Sequence, residues 1–246
     1  MKPIGDTETV FTYEASGRIT AGPIYAKISN PSFSCSSMDG YALDFALSSG
    51  ADVSRPLSLT KGTDVLRVNT GDPLPSWTNA VVMIEDVEET GSAITIRKPL
   101  HLWQNVRLTG EDVIEGDMLF PSQYEIRTID IGTLISGGIA HVSVKRKPRL
   151  IVIPTGKELV DIFNATAPVT SPNLVEFNSY TLSGLSGEMG FIASRRPAIR
   201  DFDELCAVLD RESRSFDAIL VIAGSSAGTE DFTESAVSRL GKVLFH

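Results

Sequence analysis

The feature that most restricts the fold is an alternation that begins at Arg149. Leu150-Ile151-Val152-Ile153 is an unbroken aliphatic run that ends at Pro154-Thr155-Gly156. Ala218-Ile219-Leu220-Val221-Ile222 is a second such run, followed by the small residues of 224–228. Between them, residues 175–189 read as a helix closed by Gly190, and Phe191 to Ser194 as a strand. Asp201 with Glu204 makes a capping-box start for a helix through about Glu212. Phe232 to Leu240 reads as a further helix, and Val243-Leu244-Phe245 opens another strand. A strand that is apolar at every residue has no face to give to water, so it must be covered on both sides. Such strands alternating with helices predict a three-layer α/β domain with a mostly parallel sheet. Ligands of such sheets bind beyond the carboxyl ends of the strands. Thr155-Gly156-Lys157-Glu158 and Ala223 through Asp231 both fall there.

The chain before Arg149 has a different grammar. From Phe33 to about Phe120 it reads as β structure: Leu57-Ser58-Leu59, Val65 to Val68, a buried strand from Ala80 to Val87, and Ala93 to Arg97. Glu89-Thr90-Gly91-Ser92 is a hairpin turn between the last two. Short strands at this spacing suggest a small barrel or sandwich. Residues 1–32 read as a connecting arm, with a helix end at Glu14 to Ile19 and Gly17 just past it. Residues 121–147 return to that arm. From Ile126 to Ala140 the pattern is helical, with Ile126, Ile129, Leu134 and Ile135 on one stripe and Gly137-Gly138 as its stop. The basic Lys145-Arg146-Lys147 reads as a solvated linker. The expected whole is an α/β multidomain chain: an elongated arm (1–32 and 121–147), an inserted small β domain (33–120), and a partial α/β domain (148–246).

Charge and composition exclude several functions. The formal net charge is −9, which argues against nucleic acid or an anionic membrane surface as the main partner. No apolar run reaches membrane-spanning length and no signal peptide is visible, so the cytoplasm is the expected location. Cys35 and Cys206 give no disulfide framework. His101, His141 and His246 lack zinc-ligand spacing and any Ser/His/Asp or Cys/His set.

Four constellations carry possible chemistry. Ser37-Met38-Asp39-Gly40-Tyr41-Ala42 centres on a turn dipeptide, with Met38 and Tyr41 as apolar anchors and one carboxylate at the tip. Read from its residues alone, it is a polar hairpin with structural flanks. Arg67 through Pro75 is a rigid loop that presents the Thr70 hydroxyl, or else a turn that caps the β domain. Asn105-Val106-Arg107 with Gly110-Glu111-Asp112 places a guanidinium and two carboxylates on a tight turn, which is also a common surface ion pair. Ile222 through Thr233 sends small residues from a buried strand into a helix start, where backbone N–H groups can approach an anion. Asp231 beside such an anion makes sense when a divalent cation shares the site. The loop lacks the pattern of an NTPase P-loop.

These elements, in this order, resemble the molybdopterin molybdenumtransferase family, which includes the E domain of gephyrin. The hexapeptide around Asp39 is similar to the family's signature. So are Thr70-Gly71-x-Pro-x-Pro, Arg107 with Gly110-Glu111-Asp112, Thr155-Gly156-x-Glu158-Leu159 and the loop ending at Asp231. The resemblance implies insertion of molybdate into adenylylated molybdopterin with release of AMP, and a requirement for Mg²⁺. It places Asp39, Thr70, Asp112, Glu158 and Asp231 at the active site, with Glu158 and Asp231 as metal ligands. It assigns Gly224, Ser225, Ser226, Gly228 and Asp201 to substrate binding. It also implies a homodimer in which the β domain of one subunit faces the α/β domain of the other, and contact with the molybdopterin adenylyltransferase.

Two residues depart from the family pattern. Lys157 stands where the family has Asp, and Ala223 replaces the first Gly of a Gly-Gly pair. The family continues beyond this length into a basic Pro-Gly-Lys-Pro segment, so the chain reads as a fragment with little activity of its own. Two other classes remain open: a non-catalytic scaffold of the same fold, and a metal-dependent phosphate-ester hydrolase using the same carboxylates.

Overall fold

The strand Gly40–Leu43 is buried at all four residues. It lies at the centre of an antiparallel sheet, between Val65–Val68 and Ala80–Met83. In the computed structural model, which describes residues 4–166, 168–222 and 233–244, both of its faces are covered. Tyr41 and Leu43 join Leu59, Val65, Val82, Ile94 and Ile96 in one apolar cluster. Ala42 joins Val68 and Val81 in another. Gly40 is required by proximity: a Cβ there would lie 1.9 Å from the Val82 carbonyl oxygen. It is absent from the residues of positive φ, so the turn argument for this glycine is corrected to one of close approach.

A second antiparallel sheet orders Leu57–Thr60, Ala93–Ile96 and Val87–Thr90. Its hairpin closes over Gly91-Ser92, with Gly91 at φ 57 in the first turn position, as a II′ turn requires. The expected strand from Ala80 to Val87 stops at Met83. A 3-10 turn at Ile84–Asp86 follows, and Val87–Thr90 is a separate strand that pairs in the other sheet.

These sheets belong to a unit that runs from Thr7 to Val144. Its other core is built by Ala15, Phe120, Ile126, Leu134, Ile139, Val142 and Val144. Around that core Thr7–Phe11 pairs with His141–Lys145, and Ile24–Tyr25 with Met118–Phe120. The helix expected over Ile126 to Ala140 is shorter, Asp130–Ser136. Ile126 instead pairs with the arm: its N–H donates to Arg18 O (2.8 Å) and its O accepts from Gly17 N (2.7 Å). The expected stripe also divides, because Ile126 and Leu134 are buried while Ile129 and Ile135 are 76% and 56% exposed. Asp130 secures the helix start. It is buried and accepts from the Arg127 N–H (2.9 Å), the Arg127 guanidinium (2.8 and 3.1 Å) and the Tyr124 hydroxyl (2.7 Å).

The second unit comprises Met1–Asp6 and Lys145–His246. Its sheet is parallel, in the order Ile192–Arg195, Arg149–Pro154, Ala218–Ile222. The first crossover, through Asn178–Glu188, moves to one side of the central strand. The second, through Phe202–Glu212, moves back past it. With right-handed crossovers, opposite directions put the two helices on opposite faces, which gives three layers. Ile151 and Ile153 pack with Leu205, Leu209 and Ala236, the last from the helix Thr233–Leu240. Asp201 caps its helix as expected, accepting from Glu204 N at 2.9 Å. Val243 and Leu244 are not in a strand. Arg146 is more than a linker cation: its guanidinium forks onto Asp217 (2.7 and 2.9 Å) and reaches Asp6 (3.3 Å).

The Asp130 network makes a pH prediction. Its hydrogen bonds from Arg127, then from Tyr124, outweigh burial and hold the carboxyl well below the ordinary carboxylate range. A depressed pKa stabilises the fold above the unfolded value of about 3.9 and is lost as pH falls through the folded one. Asp130→Asn should therefore lower the thermal midpoint at neutral pH and flatten its decline below about pH 4. Calorimetric scans across pH check this. Equal midpoints at pH 7 with equal acid slopes would show that the network contributes nothing.

Candidate functional site

The strand Cys35–Ser36 is only two residues long, is buried, and is bonded along both edges. On one edge it pairs with Val106–Arg107, with Arg107 opposite Cys35. On the other it takes the loop after Val68. Ser36 N donates to Asp72 O (3.0 Å), Gly71 N to Ser36 O (2.8 Å), and Leu74 N to Ser34 O (3.0 Å). Three separate sequence motifs thus meet on one strand.

Directly after this strand the chain bends through Ser37, Met38 and Asp39. The buried Ser36 hydroxyl bridges the bend, donating to Met38 O (2.5 Å) and accepting from Met38 N (3.3 Å). The expectation of two apolar anchors is half corrected: Tyr41 is 4% exposed, but Met38 is 44% exposed. Lys61 and Arg67 lie over the Tyr41 ring at 5.8 and 5.4 Å. The Asp39 carboxylate is held by Thr70, whose N–H (2.7 Å) and hydroxyl (3.0 Å) both donate to Oδ1. Thr70 is in turn fixed by Asp72, which accepts from Asn69 N at 2.7 Å, and by Gly71 at φ 89. The Thr70 N–H, then its hydroxyl, keep the Asp39 pKa below its usual value, and Arg67 adds to the effect. Asp39 is therefore an ionised, exposed carboxylate with one oxygen committed and one open.

Asp112 sits on the neighbouring turn. Arg107 donates to its Oδ2 (2.5 Å), Asn30 Nδ2 to the same oxygen (3.2 Å), and Glu111 lies 3.8 Å from Arg107 Nε. Backbone bonds from Asp112 N to Asn30 O (3.0 Å) and from Gly110 N to Pro31 O (2.9 Å) attach the turn to the chain leading into Cys35. Asp112 shares the Cys35–Ser36 strand with Asp39 and Thr70 through Arg107.

In the second unit, Thr155 leaves the central strand and captures the neighbouring strand end. Its N–H and its hydroxyl both donate to Ile222 O, each at 2.9 Å. Gly156 follows at φ 151, and a Cβ there would meet the Glu158 carboxylate at 2.8 Å. The exposed Glu158 side chain is thus folded back over the glycine at the strand ends. A cleft of about 350 Å³ opens beside it, lined by Pro154, Ile222, Leu159, Leu174, Phe177 and Asn178 among others. Gly224, Ser225, Ser226, Gly228 and Asp231 lie outside the described residues, as does Ala223. Asp201 has one oxygen committed to the helix cap. Among the described residues no group of three His, Cys, Asp or Glu side chains could hold a metal ion. No described helix is long and apolar enough to cross a membrane.

One cluster escaped the sequence reading. Arg195 stacks on Tyr180 with its guanidinium carbon 3.7 Å from the ring centroid. Its Nε donates to Ser179 Oγ (3.1 Å) and its Nη2 to Asp161 (3.3 Å), with Glu176 3.6 Å away. No motif announces these residues, because they come from a loop, a helix start and a strand end.

Comparison with known proteins agrees with the fold. A family model described as the MoeA N-terminal region (domain I and II) matches residues 1–138. The chain is 32% identical over 246 residues to a molybdopterin biosynthesis protein of Methanocaldococcus jannaschii, covering 95% of this chain and 62% of that protein. It is 29% identical over 263 residues to the molybdopterin molybdenumtransferase of Haemophilus influenzae, covering 97% and 61%. Two crystal structures of a molybdopterin biosynthesis MoeA protein from Pyrococcus horikoshii are similar to it. One has a TM-score of 0.79 at 29% identity, covering 89% of this chain and 62% of its own. The other has a TM-score of 0.83 at 26% identity, covering 98% and 64%. The chain thus spans about three fifths of the length of the curated relatives it matches. With more than half of its residues inside the family model, the chain belongs to the MoeA family, and residues 1–138 are that family's N-terminal region.

Proposed function

We propose that this chain acts in molybdenum cofactor biosynthesis, as part of a molybdopterin molybdenumtransferase that inserts molybdate into adenylylated molybdopterin and releases AMP. The observation that carries this reading is the Asp39–Thr70 pair, which joins two of the motifs that bear the family resemblance. In this reading the Thr70 hydroxyl spends its hydrogen-bond donor on Asp39, keeps its proton, and so meets a ligand as an acceptor. Asp112 is oriented by Arg107. Glu158 and Asp231 would hold Mg²⁺. A pair of carboxylates suits that ion, which keeps waters and takes substrate phosphates as its other ligands. When bound, Mg²⁺ neutralises phosphate charge and polarises the bond that is cut. Backbone amides of Gly224, Ser225, Ser226 and Gly228 would receive substrate oxygens. Asp201 would use the oxygen its helix cap leaves open.

The same reading divides the chain into arm (1–32, 121–147), β domain (33–120) and α/β domain (148–246). It locates the protein in the cytoplasm and has the molybdopterin adenylyltransferase as a partner. It also assembles the protein as a homodimer, a proposal supported by the exposure of Ile129 and Ile135.

Three outcomes are expected of the complete gene product. Glu158→Gln and Asp231→Asn should each abolish AMP release from adenylylated molybdopterin while the circular dichroism spectrum persists. Turnover like the wild type in either would end the assignment. Thr70→Val, which keeps the backbone N–H, should raise the Asp39 pKa toward about 3.9, read by carboxyl NMR titration, and slow turnover. An unmoved pKa would show that the hydroxyl does not hold Asp39. Light scattering at micromolar concentration should give twice the chain mass, and a monomer would refute the dimer.

A further inference from the structure

Glu158 stands at the root of an excursion that leaves the central strand at Pro154 and returns at the helix Asn178–Glu188. The two limbs meet as a parallel pair, Leu159–Val160 beside Leu174–Val175. The pair is two residues long. Its bonds are Leu174 N to Glu158 O (2.8 Å) and Glu176 N to Val160 O (2.9 Å). Leu174 and Val175 are exposed, so no core of its own holds the pair together. What lies just beyond it is charged: Asp161 follows the outgoing limb and Glu176 follows the returning one.

We propose that Arg195 is a positioning residue for Glu158, latching both limbs of this excursion to the start of the helix Asn178–Glu188. The inference rests on the proposed role of Glu158. Arg195 is the last residue of its strand, paired in register with Val152, so its backbone is fixed by the sheet. Its side chain lies on the Tyr180 ring, and the Tyr180 hydroxyl donates to Asp161 at 2.9 Å. The Ser179 hydroxyl accepts from Arg195 Nε and donates to Glu176 at 2.6 Å. One guanidinium thus serves both limbs. The Asp161 and Glu176 side chains are only 16% and 3% exposed. Without Arg195 these two poorly solvated carboxylates lose their shared cation, and the cost is relieved by parting the limbs. Glu158 moves when they part, because its own carbonyl closes the pair.

The test uses the complete gene product with Arg195→Met, Arg195→Lys and the double variant Arg195→Met with Asp161→Asn. Amide hydrogen exchange at Leu174 reports on the bond to Glu158 whatever the activity, and exchange at Ile151 and Ile153 reports on the sheet. Arg195→Met should speed exchange at Leu174 and Glu176 while leaving Ile151 and Ile153 unchanged. It should also raise the Mg²⁺ concentration for half-maximal turnover about tenfold, with turnover recovered at saturating Mg²⁺. The double variant should recover part of both effects, because it removes one of the stranded carboxylates. Arg195→Lys, which keeps the charge without the fork or the stack, should fall between and decides the matter if the Met variant does not fold. Unchanged exchange at Leu174 would overturn the latch. Faster exchange with an unchanged Mg²⁺ dependence would overturn the positioning role. A wild-type protein without transferase activity would overturn the proposed function, and the exchange measurements would still decide the latch.

Discussion

The backbone of Cys35–Ser36 has hydrogen-bond partners on both edges, and the three motifs of the N-terminal unit take their places from it. A buried strand cannot leave its N–H and C=O groups unpaired without a cost comparable to the lost bonds. The Thr70 loop and the Arg107 strand meet that demand from opposite sides. Asp39 follows three residues later, on a bend that the buried Ser36 hydroxyl braces. A displacement of this short strand would therefore move Thr70, Asp39 and Arg107 together. The neighbouring sheet adds a second restraint at Gly40, where the Val82 carbonyl leaves no room for a side chain.

The second unit solves a similar problem with a side chain. Thr155 gives two donors to the carbonyl of Ile222, tying the end of one strand to the end of the next. Gly156 can then turn at φ 151 and pass beneath the Glu158 carboxylate. The Thr155 hydroxyl, backbone bonds and one glycine place this carboxylate.

Much of this was legible because local chemistry and tertiary context agreed. The apolar runs at Leu150 and Ala218 became neighbouring parallel strands, although only the first is buried and Leu220 of the second is exposed, and Asp201 caps the helix its spacing announced. Asp39 and Thr70 could be named singly as tip carboxylate and loop hydroxyl, but their pairing spans 31 positions and has no local signal. The failures have the same origin. Ala80 to Val87 is apolar enough for one strand, yet it turns at Ile84–Asp86, and Val87 opens a strand of the other sheet. Ile126 fits a helical stripe, yet the arm offers its backbone a β-type partner. Lys145-Arg146-Lys147 looked like solvated charge because Asp217, the group that holds Arg146, is 71 residues away.

Charge bears on the proposed reaction in one last way. A chain of net charge −9 is asked to hold anionic substrates. Several of its arginines are already committed: Arg107 to Asp112, Arg146 to Asp217, Arg195 to Asp161 and Glu176, and Arg196 to Glu212. A committed guanidinium orients carboxylates well but offers little net charge to a ligand. In the proposed reading countercharge also comes from backbone N–H groups between the strand and the next helix and from a divalent cation on exposed carboxylates. Of the carboxylates proposed for the site, Asp39, Asp112 and Glu158 are exposed, whereas the buried carboxylates among the described residues, Asp130, Glu176 and Glu212, all have arginine partners.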